Sequence, residues 1–156
     1  MPLTFRLATP TDHIRLEELA LAGFGPITWA RRVDEKFGNL NGKDWKERWK
    51  LRLNHVFATQ IILLAEEGGE TVGFASGTLD PDCKLAYIDL IAVDPKSQGQ
   101  GLGRELLRAM LKLMSERGAE HAHLDCLVDN DAGNRLYRSE GFEEMARHIR
   151  WFRRIR

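Results

Sequence analysis

The sequence has little of several features that would mark specialised protein classes. It contains two cysteines, Cys83 and Cys126, among 156 residues, whereas small secreted scaffolds pair many cysteines in short chains. We therefore expect both thiols to be reduced, in a cytoplasmic protein. No charge of one sign dominates, because lysine plus arginine and aspartate plus glutamate both number 23. Nucleic-acid-binding proteins usually carry a basic excess, so no nucleic-acid partner is expected.

Long apolar stretches are also missing. The densest apolar run covers residues 61–65, far short of the roughly 20 residues that span a bilayer. Residues 1–6 show no apolar core of a secretion signal, and the sequence predicts no membrane partner. The contents of 43% hydrophobic and 29% charged residues are typical of a single globular domain, which we expect to cover residues 1–156.

Hydrophobic periodicity indicates a mixed fold. Strand patterns cover residues 3–8, 60–66, 71–79, 84–93 and 121–128, and one or two final strands are expected from Phe142 onward. Helical patterns cover residues 101–117 and 130–140, and a first helix after Thr11 and Asp12 places apolar residues on one side. Those residues are Ile14, Leu16, Leu19, Ala20 and Phe24. Antiparallel strands followed by strand–helix units predict an α+β class, with a mostly antiparallel central sheet flanked by helices.

The segment between residues 27 and 57 is less regular. Trp45, Trp49, Leu53 and Val56 recur at helical spacing, with lysines and arginines between them. This pattern favours a packing stripe with a solvated basic face, and a wall that faces a ligand is the alternative.

The segment Gln98–Arg104 joins a buried strand to a helix and carries glycines at positions 99, 101 and 103. Each glycine costs a helix about 1 kcal/mol relative to alanine, so three at a helix start indicate a need for bare backbone. Free N–H groups and the helix dipole attract phosphate there. A flexible turn is the alternative. A Walker loop would need Gly-Lys-Ser/Thr, and a dinucleotide fingerprint would need glycine in place of Arg104.

Two motifs resemble those of the GNAT acyltransferase superfamily. Gln98, Gly101 and Gly103 match its Arg/Gln-x-x-Gly-x-Gly/Ala signature, and residues 130–142 are similar to its Asn-x-x-Ala-x-x-Leu-Tyr-x-x-x-Gly-Phe segment. One departure is Gly133, which stands where alanine is usual. The resemblance covers roughly residues 60–145 by motif. It implies the acyl-CoA N-acyltransferase fold and direct transfer of an acetyl group from acetyl-CoA to a primary amine.

The resemblance also implies roles for individual residues. Backbone amides of the loop would bind the pyrophosphate of coenzyme A, and the main chain of a strand would pair with its pantetheine arm. The loop residues are Gln98, Gly99, Gln100, Gly101, Leu102, Gly103 and Arg104, and the strand residues are Ile91, Ala92 and Val93. Asn130 would contact the same arm, and Tyr137 would lie near the thioester sulfur. No metal is implied, and we expect a monomer or a homodimer.

The acceptor side is less defined. In the family, the segment between the first helix and the second strand forms one wall of the acceptor pocket, which makes Phe24, Trp29 and Trp45 candidate lining residues. The acceptor itself is a small-molecule or peptide amine that the sequence does not identify. The rival function is a coenzyme A-binding regulatory domain without catalysis, which would keep the loop and lack the amine site.

Asp89 and Tyr87 are the candidates nearest the reacting amine. An alkylamine with a pKa near 10 costs about 4 kcal/mol to deprotonate at pH 7, so a base is useful. The even positions 86, 88, 90 and 92 of the strand are apolar and should share a core face, which leaves Asp89 among apolar residues on the other face. Such an acid is either paired with another polar group or has a functional role. Asp89 is therefore interpreted as the base or the anchor of the amine, and a structural residue is the alternative.

Three further features have two interpretations each. Tyr137 is the candidate acid for the leaving thiolate, with a core aromatic under Phe142 as the alternative. His121, His123 and Asp125 share one strand face, which favours a polar surface over a metal site. Five arginines at positions 147, 150, 153, 154 and 156 indicate a guarded edge strand, and a patch for an acidic partner is the alternative.

Overall fold

A computed structural model describes residues 2–156 of the chain. Within this range five strands form one sheet in the order β1-β2-β3-β4-β5. The strands are β1 (Leu3–Leu7), β2 (Ile61–Glu67), β3 (Glu70–Asp80), β4 (Leu85–Val93) and β5 (His121–His123). The first four pair antiparallel, and β5 runs parallel to β4.

In the part of the chain that the structure describes, five α-helices flank this sheet. They are α1 (His13–Phe24), α2 (Trp29–Phe37), α3 (Trp45–Thr59), α4 (Leu102–Glu116) and α5 (Asp131–Ser139), with short 3-10 turns at Pro10–Asp12 and Pro95–Ser97. The α+β class predicted from the sequence, a mostly antiparallel sheet flanked by helices, is confirmed. Among residues 2–156, no helix combines the length and the apolar content needed to cross a membrane.

A hydrophobic core lies on each face of the sheet. On one face, α1 and α3 bury Leu16, Leu19 and Leu53 against Leu64 and Phe74 of the sheet. On the other face, α4 buries a row at helical spacing against β2, β3 and β4. That row consists of Leu102, Leu106, Met110 and Met114. The two cores fix α4 and α3 on opposite sides of β4.

Strand β4 changes face in its middle. The pairing register shifts between Ser76 and Gly77 of β3, which leaves Asp89 as the extra residue of a β-bulge on β4. Consequently Ile88 packs in the core under α4, whereas Leu90 packs in the core under α1 and α3. The expectation that the even positions of this strand share one core face was therefore wrong. All four are buried, but the bulge sends them to opposite faces.

The aromatic stripe of α3 packs as the favoured interpretation expects, with Trp49, Leu53 and Val56 buried. The expectation for α1 needs one correction, because Ile14 is 78% exposed. Helix α2 was not predicted at all. Its nine residues bury only Val33, although Trp29, Val33 and Phe37 recur at helical spacing and were an available signal.

Two expectations for the last third of the chain were wrong. Strand β5 covers three residues rather than 121–128, because its parallel pairing with β4 ends at Tyr87 and His123, two residues before the bulge bends β4. Residues 142–156 form no strand. Side chains of this segment contact α5 through the ring pair Tyr137–Phe142, and α2 through the ring pair Phe37–Phe152 and the stacking of Arg150 on Trp29.

Candidate active site

The glycine-rich loop lies at the carboxyl end of β4 and opens α4. Gly101 is the N-cap of the helix with φ 76°, and Gly99 has φ 84°. An added Cβ at either position meets no atom within 4 Å, so the left-handed backbone, rather than crowding, is what favours glycine there. The first intrahelical bond runs from Glu105 N to Gly101 O at 3.1 Å. The three amides that precede it, at residues 102–104, are free to bind an anion.

A basic cavity of about 570 Å³ lies between the start of α4 and α5. It is lined by Arg104, Ala132, Arg135, Leu136, Arg138 and Ser139. Arg104 donates to the Ser139 hydroxyl at 2.8 Å and pairs with Glu140. Arg108 donates to the other Glu140 oxygen at 2.9 Å, and the two guanidinium groups hold the pKa of Glu140 below its usual range. The glutamate thereby fixes α5 beside the loop.

The N-terminus of α5 is built around Asn130. Its side-chain oxygen accepts from Gly133 N at 3.2 Å and caps the helix. A Cβ at position 133 would lie 2.8 Å from Asn130 Nδ2 and 3.0 Å from Cys126 Sγ. The glycine that departs from the family pattern is therefore explained by its own neighbours, which leave little room for alanine.

Tyr137 lies in the last turn of α5. Its ring meets that of Phe142 edge to face at 6.0 Å. Burial raises the pKa of Tyr137 to about 12, so the phenol stays protonated throughout the neutral and moderately alkaline range. Tyr137 therefore packs on Phe142, as a core aromatic would, and also carries a protonated hydroxyl, as an acid would.

Both carboxylate oxygens of Asp89 are engaged. Arg52 Nη2 donates to Oδ1 at 2.8 Å, and Gln60 Nε2 donates to Oδ2 at 2.8 Å. The Asp89 side chain is only 10% exposed, and the guanidinium of Arg52 is stacked 4.7 Å from the Trp49 ring. This arrangement compensates a nearly buried charge. Arg52 and Gln60 were missed in the sequence; the basic residues within the apolar stripe of α3 were the available signal for Arg52.

A second carboxylate lies where β4 and β5 diverge. The Tyr87 hydroxyl donates to Asp125 Oδ2 at 3.2 Å, and the Tyr87 and His123 rings lie 4.9 Å apart. Burial, together with the charges of Asp89 and Asp125, raises the pKa of Tyr87 to about 12. Asp125 itself is exposed. Within residues 2–156 no three His, Cys, Asp or Glu side chains gather as a metal site.

The three aromatic residues expected on the acceptor side occupy different environments. Phe24 stacks on Trp49 at 5.0 Å, and Trp45 packs on the same core. Trp29 on α2 is 36% exposed, with Arg150 4.3 Å above its ring. Phe24 and Trp45 therefore serve packing at least in part, while Trp29 presents its ring to the surface.

Comparison with known proteins assigns this arrangement to a family. The model of the acetyltransferase (GNAT) family matches residues 28–142. N-alpha-acetyltransferase RimI of Mycobacterium tuberculosis is 40% identical over 91 residues, which cover 57% of this chain and 56% of that protein. A mycothiol acetyltransferase of Beutenbergia cavernae is 31% identical over 96 residues, which cover 61% of this chain and 32% of that protein.

The fold is also shared with solved structures. The aminoglycoside N-acetyltransferase AAC(6')-Iy in complex with CoA superposes with a TM-score of 0.71 at 16% identity, over 98% of this chain and 95% of that one. At this identity the likeness concerns the fold alone. The matched region of this chain spans about half the length of the RimI protein and a third of the mycothiol acetyltransferase.

Proposed function

We propose that this chain, which belongs to the acetyltransferase (GNAT) family, transfers the acetyl group of acetyl-CoA directly to a primary amine. The observation that carries the proposal is the left-handed glycine loop, which presents the free amides of residues 102–104 at the carboxyl end of β4. A pyrophosphate fits such a site because the helix dipole and the bare backbone both favour negative charge.

The cofactor would extend from this loop in two directions. The backbone of Gln98–Arg104 would hold the pyrophosphate, and the arginine-lined cavity beside it offers charge for the remaining phosphate of coenzyme A. Toward the reaction centre, Ile91, Ala92 and Val93 lie beyond the last residue of β4 that pairs with β5. Their main chain borders the gap between these strands, where the amides of a pantetheine arm can add as an extra strand. Asn130, the cap of α5, borders the same arm in this proposal.

Transfer needs an amine nitrogen that attacks the thioester carbon, after which the carbon–sulfur bond breaks. A backbone N–H of residues 91–93 would polarise the carbonyl oxygen. Asp89 is less suited to accept the amine proton than the sequence indicated, since Arg52 and Gln60 occupy both its oxygens. We assign it the role of holding Arg52 against Trp49. Asp125 is the carboxylate better placed to anchor the ammonium or to take its proton through water. It is exposed, and only one of its oxygens accepts a hydrogen bond, from the Tyr87 hydroxyl.

Tyr137 is proposed to stabilise the departing thiolate. With a pKa of about 12 against roughly 8.5 for a thiol, complete proton transfer from the phenol would be uphill by about 5 kcal/mol. A hydrogen bond from the intact hydroxyl therefore fits better than full protonation. The amine proton finally leaves to solvent, and the thiolate takes up a proton from water.

The N-terminal amine of a peptide is the acceptor class that we favour. It is supported by the RimI relative, whose name specifies N-alpha acetylation and whose matched region shares 40% of its residues with this chain. A small amine is the alternative, consistent with the mycothiol acetyltransferase relative. In this scheme Trp29 and Tyr87 contribute to the acceptor side, with Phe24 and Trp45 supporting them from the core.

The test is release of free thiol from acetyl-CoA in the presence of a panel of amines. The panel contains peptides with a free N-terminus, the same peptides with a blocked N-terminus, lysine-containing peptides, polyamines and aminoglycosides. We expect turnover with free N-terminal peptides and none with their blocked counterparts. Calorimetric binding of CoA without turnover on any amine would instead support the non-catalytic binding domain, and absence of CoA binding would refute both functions.

A further inference from the structure

We propose that Glu140 is a positioning residue for acetyl transfer, because it couples the phosphate-binding start of α4 to Tyr137 near the end of α5. This inference rests on the proposed function and goes beyond it by giving the pyrophosphate of acetyl-CoA a second task. Through Glu140, the part of the cofactor that does not react sets the place of the phenol beside the thioester sulfur.

The Glu140 carboxylate joins two turns of α4 to the C-cap of α5. Arg108 donates to Oε2 at 2.9 Å and to Oε1 at 3.0 Å, and Arg104 donates to Oε1 as well. The side chain of Glu140 is 9% exposed. Charge-assisted hydrogen bonds that pair two groups in this way fix their geometry as well as their distance. The carboxylate therefore holds the two helices in one relative position.

On the α4 side, the contact begins in the loop that would bind phosphate. The backbone amide of Arg104 is one of those that precede the first intrahelical bond, at residues 102–104. Its guanidinium group bonds to the Glu140 carboxylate and, at 2.8 Å, to the Ser139 hydroxyl. One residue therefore offers its amide to the pyrophosphate and its side chain to α5.

On the α5 side, the contact ends in the turn that carries Tyr137. The Tyr137 carbonyl oxygen accepts from Glu140 N at 3.2 Å and from Phe142 N at 3.0 Å. The Phe142 ring in turn packs against the ring of Tyr137. A shift of Glu140 would therefore move both the backbone and the ring contact that place the phenol.

These ion pairs matter because α5 has little packing to hold it. None of the residues Asp131–Ser139, all of which the structure describes, is fully buried. Most helices in proteins are stabilised by an apolar face that packs on the rest of the fold. The position of α5 depends instead on polar contacts, among them the Asn130 cap at its start and the Glu140 carboxylate at its end.

A positioning role and a purely structural role predict different kinetics. Binding energy from a part of the substrate that does not react can orient the reacting centre, so a truncated substrate loses rate as well as affinity. If Glu140 transmits that orientation, its removal weakens turnover of acetyl-CoA but has little effect on S-acetylpantetheine, a thioester with the same arm and no pyrophosphate. Loss of stability alone would lower turnover of both thioesters alike.

The first test compares kcat/KM for these two thioesters with one amine acceptor. In Glu140→Gln we expect a fall of about 10- to 100-fold with acetyl-CoA, the size that a small misplacement can cause, and little change with S-acetylpantetheine. Glu144→Gln is the matched control and should change neither value, since Glu144 also bonds an arginine through both oxygens but within its own segment. Equal falls with both thioesters, or no fall with acetyl-CoA, would overturn the proposal.

A second variant, Arg108→Gln, covers the case in which Glu140→Gln does not fold. The Arg108 side chain is 62% exposed, so its replacement should be tolerated, and it removes one of the two partners of the carboxylate. The ratio of kcat/KM for acetyl-CoA to that for S-acetylpantetheine should fall in this variant too, by less than in Glu140→Gln. An unchanged ratio would contradict the coupling.

The second test needs no turnover. ADP, which carries a pyrophosphate and lacks the pantetheine arm, is titrated into ¹⁵N-labelled protein. We expect amide shifts at residues 102–104 and at Tyr137 in the native protein, and only those at residues 102–104 in Glu140→Gln. A Tyr137 shift that persists in the variant, or that is missing from the native protein, would overturn the inference, as would loss of both sets of shifts in the variant.

The two tests also separate this inference from the proposed function. A protein that shows the expected shifts but acetylates no amine would have the coupling without acetyl transfer. A protein that acetylates an amine but shows equal kinetic effects with both thioesters would have the function without the coupling. Absence of any shift at residues 102–104 of the native protein would refute the phosphate site, and the inference with it.

Discussion

Asp89 and Arg52 form an ion pair, with 2.8 Å between Oδ1 and Nη2, at the point where β4 bulges. The bulge gives β4 one extra residue, so Asp89 has no partner on β3 and its side chain reaches toward α3. Arg52 meets it from that helix and lies over the Trp49 ring. The same bulge ends the pairing of β4 with β5, which creates the gap that we assign to the cofactor arm. One irregular residue therefore links the packing of α3 to the shape of the candidate site.

The first prediction separates the two carboxylates near this gap. Asp89→Asn leaves Arg52 without its charged partner, and because Arg52 is about half exposed we expect a loss of about 1–2 kcal/mol in the free energy of unfolding. Asp125→Asn should leave stability nearly unchanged and lower kcat/KM about 100-fold, the size typical of a lost acid–base group. Urea unfolding and steady-state kinetics with the same amine measure both effects. A fully active Asp125→Asn enzyme beside a stable but inactive Asp89→Asn enzyme would return the base role to Asp89.

The second prediction concerns Tyr137→Phe. The substitution keeps the ring that packs on Phe142 and removes only the hydroxyl, so folding should be preserved. A hydrogen bond to a charged group contributes about 1.5–3 kcal/mol, and we expect kcat to fall about 10- to 100-fold while KM for acetyl-CoA changes little. Single-turnover kinetics would locate the effect in the chemical step. If the rate is unchanged, the phenol has no part in transfer and Tyr137 is a packing residue.

The third prediction uses the fact that the chain has only two tyrosines, Tyr87 and Tyr137. Burial raises the pKa of both to about 12, against about 10 for an unfolded chain. The folded state holds these protons longer than the unfolded state does, so their contribution to stability is complete below pH 10 and is lost as pH rises toward 12.

An absorbance titration of tyrosinate checks this directly. At pH 10 the folded protein should show almost no tyrosinate, whereas the protein in denaturant should show half of the full signal. Tyr87→Phe and Tyr137→Phe assign the remaining signal to one residue each. A titration of the folded protein centred near pH 10 would mean that neither hydroxyl is shielded as described.

The regular core was predictable because its patterns are local. The spacing of Leu106, Met110 and Met114 on α4 follows from the helical period alone, and the glycine loop is visible because glycine at a helix start is unfavourable. The bulge at Asp89 was not predictable, since it depends on the register between β3 and β4, which no single strand encodes. The partners of Asp89 were hidden for the same reason, because Arg52 and Asp89 are 37 residues apart. The alternating apolar residues beyond residue 124 are typical of strands, but the backbone there pairs with no strand of the sheet.

The last prediction compares Gly101→Ala with Gly103→Ala in the same loop. Gly101 has φ 76°, where alanine costs about 1–2 kcal/mol. Gly103 lies inside α4, and a Cβ there would meet only Leu136 and Val93, at the ordinary distances of 3.8 and 3.9 Å. Alanine at position 103 should therefore be neutral or stabilise the helix by up to about 1 kcal/mol.

The same pair tests the phosphate site. Gly101→Ala distorts the backbone that aims the amides of residues 102–104, so we expect KM for acetyl-CoA to rise about tenfold or more. Gly103→Ala keeps the left-handed turn at Gly101, and its KM should change much less. Urea unfolding and the dependence of rate on acetyl-CoA concentration give both quantities for each variant. Equal rises in KM would indicate that the loss of open space over the helix start, rather than the left-handed turn at Gly101, is what weakens cofactor binding.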